Sequence, residues 1–155
     1  MNTPKLYMLV GLPASGKSTY RRNNFYGVYC LSTDDMIEEY AKSLGKTYSD
    51  VFEEYIKTAT EKFEHNMKIV SQKNVDVVID RTNLTVSSRK KIIDVFPNHE
   101  KHAIVFMCES HDLHMFRLNS RKGKEIPKHI FDSMSKSYEE PSVKEGFHSV
   151  RLEIT

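Results

Sequence analysis

A three-layer α/β domain built on a mostly parallel sheet of four to five strands is the fold class the sequence predicts, and three observations carry it. Short, almost continuously apolar runs recur at residues 6–10, 75–79 and 103–107, the last two β-branched, as expected of strands buried on both faces. Segments with helical spacing separate them, so the order reads β, α, β, α, α, β, α, β, α, the alternation of a layered α/β fold. The 155 residues suffice for one sizeable core and little more, so residues 1–155 are read as a single domain.

The first strand, 6–10, ends at a glycine-rich turn and feeds a helix that starts near Lys17. A second strand is expected at 28–31, followed by a helix containing Met36, Ile37 and Tyr40. Over 49–73, Phe52, Tyr55, Ile56, Ala59, Phe63, Met67 and Val70 fall at spacings of three or four, one apolar stripe on a long helix that faces the core. Helices are expected at 87–96 and 111–122, a further one running from Pro127 to about Tyr138, and a last strand at 147–154. The mixed-charge stretch 121–125, with one glycine, is the candidate mobile loop. It forms the centre of a small helical lid over about 117–127.

Hydrophobic residues make up 39% and charged residues 28% of the chain, values that exclude a disordered or membrane-spanning class. The net charge of +2 is too small to advertise a nucleic-acid binder, so any basic surface must be local. Cys30 and Cys108 lie inside apolar runs and read as small buried hydrophobes rather than a disulfide. No apolar stretch is long enough to span a bilayer and no signal peptide is evident, so a cytoplasmic setting without membrane association is expected. The seven histidines show no metal-ligand spacing and read as surface residues. The sequence says nothing of the oligomeric state.

The motif that carries chemistry is Gly11-Leu12-Pro13-Ala14-Ser15-Gly16-Lys17-Ser18, a complete G-x-x-x-x-G-K-[ST] after a strand and opening a helix. Gly11 and Gly16 permit backbone conformations closed to other residues, so after the turn at Pro13 the N–H groups of Ala14-Ser15-Gly16-Lys17-Ser18-Thr19 can ring phosphate oxygens at a helix N-terminus. Lys17 neutralises the β- and γ-phosphates and the Ser18 hydroxyl serves Mg²⁺, so ATP and Mg²⁺ are the expected cofactors.

The reacting groups are sought where strands end, because ligands of open α/β sheets bind at that edge. Strand 28–31 exits into Ser32-Thr33-Asp34-Asp35. Asp34 is the candidate general base for a hydroxyl acceptor. The bland alternative, stronger for Asp35, is that these carboxylates cap the next helix. Strand 75–79 exits into Asp80-Arg81-Thr82-Asn83, where Asp80 would orient a magnesium-bound water or fix an arginine, and Asp80, Thr82 and Asn83 would otherwise cap or tie the loop. Arg117 and Arg121, four apart, are expected on one helix face and to close on the phosphates together, alongside Lys122-Gly123-Lys124.

With these residues in place the chain resembles the 5′-kinase domain of the polynucleotide kinase family, found in phages and in animal DNA end-repair enzymes. The similarity runs over residues 5–153: the loop 11–19, Ser32-Thr33-Asp34 where the family commonly has Asn-Arg-Asp, Asp80 before Thr82-Asn83, Arg117 to Arg121, Ile126-Pro127, and the tail Pro141-Ser142-Val143-Lys144-Glu145-Gly146-Phe147. The resemblance implies a P-loop kinase that transfers the γ-phosphate of ATP to the 5′-hydroxyl of a DNA or RNA end. In it Asp34 is the base, Lys17 and Ser18 serve the phosphates and Mg²⁺, and Arg121 with Arg117 forms the lid. Three positions depart from the family: Thr33 replaces a frequent arginine, Ile37 stands where phage members carry an arginine that touches the acceptor phosphate, and Arg81 where some carry a functional aspartate. The phosphatase domain often fused to this kinase is not seen, so 3′-phosphate removal is not expected. Two rival readings are a small-molecule or nucleoside kinase on the same scaffold and, from another class, an ATP-binding regulatory or toxin-like module. Local basic character in Arg89-Lys90-Lys91 and in 117–124 is the sequence's support for a nucleic acid acceptor.

Overall fold

Five strands pair in the order β2-β3-β1-β4-β5, every neighbouring pair parallel, in a computed structural model that describes residues 2–155. They are β1 (Lys5–Val10), β2 (Tyr29–Leu31), β3 (Val77–Asp80), β4 (Glu100–Met107) and β5 (Ser149–Ile154). The helices are α1 (Lys17–Asn24), α2 (Thr33–Ser43), α3 (Tyr48–Ser71), α4 (Val86–Ile93), α5 (His111–Asn119) and α6 (Lys128–Ser137). The expected order is thus met, with a sheet of five strands that is parallel throughout.

Period-two alternation sorts the strands' side chains into two layers. Leu6, Met8, Val10, Val77, Ile79, Ala103 and Val105 pack with Phe63, Met67 and Val70 of α3 and Ile92 of α4. Leu9, Val78, Ile104 and Phe106 face the other way, under Tyr20 of α1 and Phe25 behind it. Helix α2 lies outside α3, joined through Ile37, Ala41, Val51 and Ala59. Among the described residues, no helix is long and apolar enough to cross a membrane.

Most helices begin on a side-chain cap that satisfies a first-turn N–H: Ser32 for α2, Thr47 with Asp50 for α3, Thr85 with Ser88 for α4 and Ser110 for α5. Helix α1 has no side-chain cap and no acidic residue in its first turn.

Several expectations are corrected. At the start of α3 the core residue is Val51, fully buried, whereas Phe52 is 37% exposed and leans on Tyr48; the helix begins one turn earlier than its apolar stripe suggests and the stripe drifts. His99 is buried, its Nε2–H donating to the Val75 carbonyl at 3.0 Å, and so is not a surface residue. Arg89 is fully buried and paired with Glu145 at 2.8 Å, while Arg89 Nη1 donates to the Asn83 carbonyl, which removes it from any basic surface. That pair gives the Glu145-Gly146-Phe147 tail its role: Glu145 also accepts from the Ser142 N–H, and Phe147 enters the core. Helix α5 stops at Asn119, short of 122, so Arg121 lies past its end. The stretch 121–125, expected to be mobile, is tied to α3: Ser49 N–H donates to the Gly123 carbonyl and Glu125 N–H to Ser49 Oγ, both at 2.9 Å.

Candidate active site

The loop between β1 and α1 is held from several sides. Gly11 N–H donates to the Thr82 carbonyl at 3.0 Å and Asn83 Nδ2 to the Leu9 carbonyl at 2.7 Å, so Thr82 and Asn83 act by tying the loop after β3 to the phosphate loop. Asn83 takes a left-handed backbone (φ 49°) to do so. His114 Nε2–H donates to the Pro13 carbonyl at 2.8 Å, and Thr155 Oγ1–H to the Ser15 carbonyl at 2.9 Å. The left-handed residues are Ala14 (φ 62°) and Gly16 (φ 98°). Gly11 is required for another reason: a Cβ there would lie 2.7 Å from Ser15 Oγ and 3.1 Å from the Phe106 carbonyl oxygen. Sequence reasoning credits both glycines with special backbone angles; for Gly11 the constraint is close approach.

Inside this frame the uncapped start of α1 leaves its first N–H groups free for an anion. Lys17 is 8% exposed and donates from Nζ to the carbonyls of Gly11 at 2.7 Å and Leu12 at 2.8 Å. Burial pushes its pKa down to about 8, against the pull of Asp80 and Asp34. Ser18 Oγ–H donates to Asp80 Oδ2 at 2.9 Å, and Arg21 Nη1 lies 3.3 Å from the same oxygen. Burial raises the Asp80 carboxyl while Arg21, Ser18 and Lys17 pull it back. Ser18 and Asp80 are hard oxygen donors of the kind Mg²⁺ takes, so the residues present fit that ion.

The strand exits meet as expected at one edge, since Leu31 pairs with Ile79 across β2 and β3. Asp34 Oδ1 accepts from the Tyr48 hydroxyl at 2.7 Å, and Lys124 Nζ stands 3.4 Å from Oδ2. Burial and the Asp34 charge raise the Tyr48 hydroxyl, so it remains a donor. Neither Asp34 nor Asp35 caps α2; Ser32 does. Asp35 instead accepts from Nη1 and Nη2 of Arg21, at 2.6 and 3.4 Å, leaving Arg21 a bridge from α2 to Asp80. The neighbouring Cys30 thiol is pushed up to about 11 by burial and stays protonated.

The two lid arginines separate. Arg121 Nε and Nη2 are buried without a hydrogen-bond partner. Burial lowers its proton affinity and the charges of Asp34 and Glu38 oppose this. A half-buried guanidinium with two unpaired donors, close enough to Lys17 for their charges to oppose each other, fits a multiply charged anion such as a nucleotide phosphate. Arg117 turns away, donating to Thr155 Oγ1 at 2.8 Å, and so supports the loop from behind. The joint closure expected of the pair is not what the structure shows, because α5 ends between them.

Residues 6–141 match the family described as AAA domain. The chain belongs to the AAA domain family. A curated relative of this AAA domain is the bifunctional polynucleotide phosphatase/kinase of Schizosaccharomyces pombe, 28% identical over 151 residues, or 94% of this chain. The chain spans about a third (32%) of that protein's length. Solved structures with a similar fold include a candidate kinase from Chloroflexus aurantiacus (TM-score 0.73, 20% identity, 100% of this chain and 87% of the other). The Pnkp1/Rnl/Hen1 RNA repair complex contains another (0.65, 24%, 88% and 44%). The resemblance to a polynucleotide kinase domain and the P-loop kinase fold are thereby borne out. The fold is also that of a sugar kinase from Janibacter (TM-score 0.65, 14% identity, 97% and 85%).

Four residues that sequence reasoning did not place in this AAA domain site are Arg21, Tyr48, Lys124 and Thr155. Lys124 sits between Asp34, Glu38 at 2.8 Å and the Tyr48 ring at 4.6 Å. Only Lys124 left a trace in the sequence, as part of the basic lid; the others are brought in by contacts 14 or more residues apart.

Proposed function

We propose that this AAA domain is an ATP-dependent kinase of polynucleotide 5′-hydroxyl ends, with Mg²⁺ as its metal. The observation that carries the reading is Asp34, a carboxylate at the sheet's open edge held by Tyr48 and Lys124, within the field of Lys17 and Arg121. In the step proposed, the acceptor oxygen bonds to the γ-phosphorus as the bond to the β,γ-bridging oxygen breaks. ADP leaves with that electron pair and the acceptor's proton goes to Asp34. Tyr48 and Lys124 orient the carboxylate, Lys17 and the α1 N–H groups hold the phosphates, and Arg121 stabilises charge on the transferring group. Ser18, with Asp80 behind it, would hold Mg²⁺, which would supply charge neutralisation at the phosphates.

The similarity to the polynucleotide phosphatase/kinase over 94% of this chain supports the nucleic acid acceptor. One observation favours a small-molecule acceptor instead: Ile37 and Thr33 are buried, so the first turns of α2 present no cation to a strand. A transfer assay from labelled ATP to 5′-hydroxyl oligonucleotides, nucleosides and sugars decides between them. The expected result is a higher kcat/KM on oligonucleotides, falling with salt at a log–log slope of about −1 to −3. Equal kcat/KM on a nucleoside and an oligonucleotide of the same 5′ base, without salt dependence, would promote the small-molecule reading.

Arg121→Ala is expected to lower kcat by roughly 10²–10³ with a smaller rise in the KM for ATP, since its open donors await charge that develops in transfer. Arg117→Ala, acting through Thr155, should cost much less. A pure KM effect of Arg121→Ala in steady-state titrations would reassign it to ground-state nucleotide binding.

A further inference from the structure

We infer that Arg81 forms an acceptor-phosphate subsite, binding the phosphate adjacent to the reacting hydroxyl; the inference rests on the kinase reading above and names the chemistry its acceptor must carry. Arg81 leaves the carboxyl end of β3 one residue after Asp80, on the strand next to the one that delivers Asp34. Its guanidinium lies over the ring of the fully buried Phe63, 4.7 Å from the centroid, and the residue is half-buried. Among the described residues that guanidinium has no hydrogen-bond or salt-bridge partner, and the one side-chain bond to Arg81 reaches its backbone carbonyl. Asp34 and Glu64 attract it without closing a pair, and burial opposes its charge.

A guanidinium that has given up part of its hydration, is fixed by an aromatic face and keeps its donors free is poised for an anion brought by a ligand. Of the other cations of the site, the unpaired Arg121 is assigned above to the transferring phosphate and the rest are engaged. Arg21 is bound by Asp35, Lys124 by Glu38, and Lys17 lies in the phosphate loop. The anion that arrives beside Asp34 is the one attached to the acceptor. For a 5′-hydroxyl strand it is the phosphodiester on the 3′ side of the terminal nucleoside. Arg81 thus supplies from β3 the cation that buried Ile37 and Thr33 of α2 cannot.

The test compares a nucleoside with its 3′-monophosphate as acceptors, at saturating ATP. Wild type should prefer the 3′-monophosphate, and Arg81→Ala should cut kcat/KM on it roughly 10- to 100-fold, chiefly through KM. The loss on the nucleoside should be far smaller and the KM for ATP unchanged. Arg81→Lys should recover part of the preference, and Arg81→Met, whose stem still covers Phe63, should behave like the alanine variant if the protein folds equally well. With oligonucleotides, the salt slope should become shallower by about 0.7. Retention of the full 3′-phosphate preference by both Arg81→Ala and Arg81→Met, or an equal loss on both acceptors, would overturn the subsite while the polynucleotide reading stands. A wild-type protein that transfers to sugars but not to nucleotides would overturn both.

Discussion

Lys17→Met should abolish transfer, by roughly 10³ or more, while yielding a folded protein that is more stable than wild type at neutral pH. Lys17 is 8% exposed and its ammonium is held in place by its own loop, with its pKa driven down by burial to about 8. A lysine whose folded pKa lies below its unfolded value of 10.5 costs stability at any pH below about 8, because the unfolded chain holds the proton more tightly. The cost is about 3 kcal/mol there and fades as pH rises from about 8 to 10.5. Methionine removes it and forfeits two bonds to carbonyls, for a net gain of about 1–2 kcal/mol at pH 7. Urea melts of both proteins at pH 7 and pH 10 check this, the gap narrowing at the higher pH. In wild type, kcat/KM for ATP should fall above about pH 8 as the free lysine loses its proton. Near-normal transfer by a folded Lys17→Met protein would remove the ground for any phosphoryl chemistry in this site.

Asp34→Asn should slow transfer by roughly 10²–10⁴, the range for losing a positioned acid–base group, with ATP affinity within a few-fold of wild type. The variant should keep its geometry, since an amide oxygen still accepts from the Tyr48 hydroxyl. Asp35→Asn serves as the control. Asp35 is engaged with Arg21 rather than facing the acceptor, so its loss should act on the placement of Asp80 and cost less in rate. Single-turnover rates measured side by side on the two variants check the assignment. If Asp35→Asn proved the slower, the base would have to be reassigned.

Asp34 and Arg117 illustrate two kinds of legibility. The place of Asp34 at the sheet's edge was recognisable because it follows a strand by three residues, and parallel strands deliver their exits to one edge whatever lies between them. The phosphate loop was recognisable because its function is carried by consecutive backbone groups, so spacing alone describes it. Arg117 was misread because a four-residue spacing places two side chains together only while the helix continues. Here α5 ends at Asn119 and the partner that captures Arg117 is Thr155, 38 residues away. Phe52 was misread for a related reason: a stripe at spacings of three and four drifts around a helix, and α2 packs against Val51 instead.

Apolar runs and a loop motif, both local in the chain, were enough to determine a parallel α/β layer fold, the glycine-rich loop at the start of α1 and the sheet edge at which the exits of β2 and β3 bring Asp34 and Asp80. What only the tertiary structure decided is which polar side chains are already engaged. Arg89 is consumed by Glu145, Asp35 by Arg21 and Arg117 by Thr155, whereas Arg121 and Arg81 keep open donors. The reason is physical: burial of apolar runs is non-directional and can be read from periodicity, but a charged group's role depends on whether another charge lies within a few ångströms, and that distance is set by residues far apart in the chain.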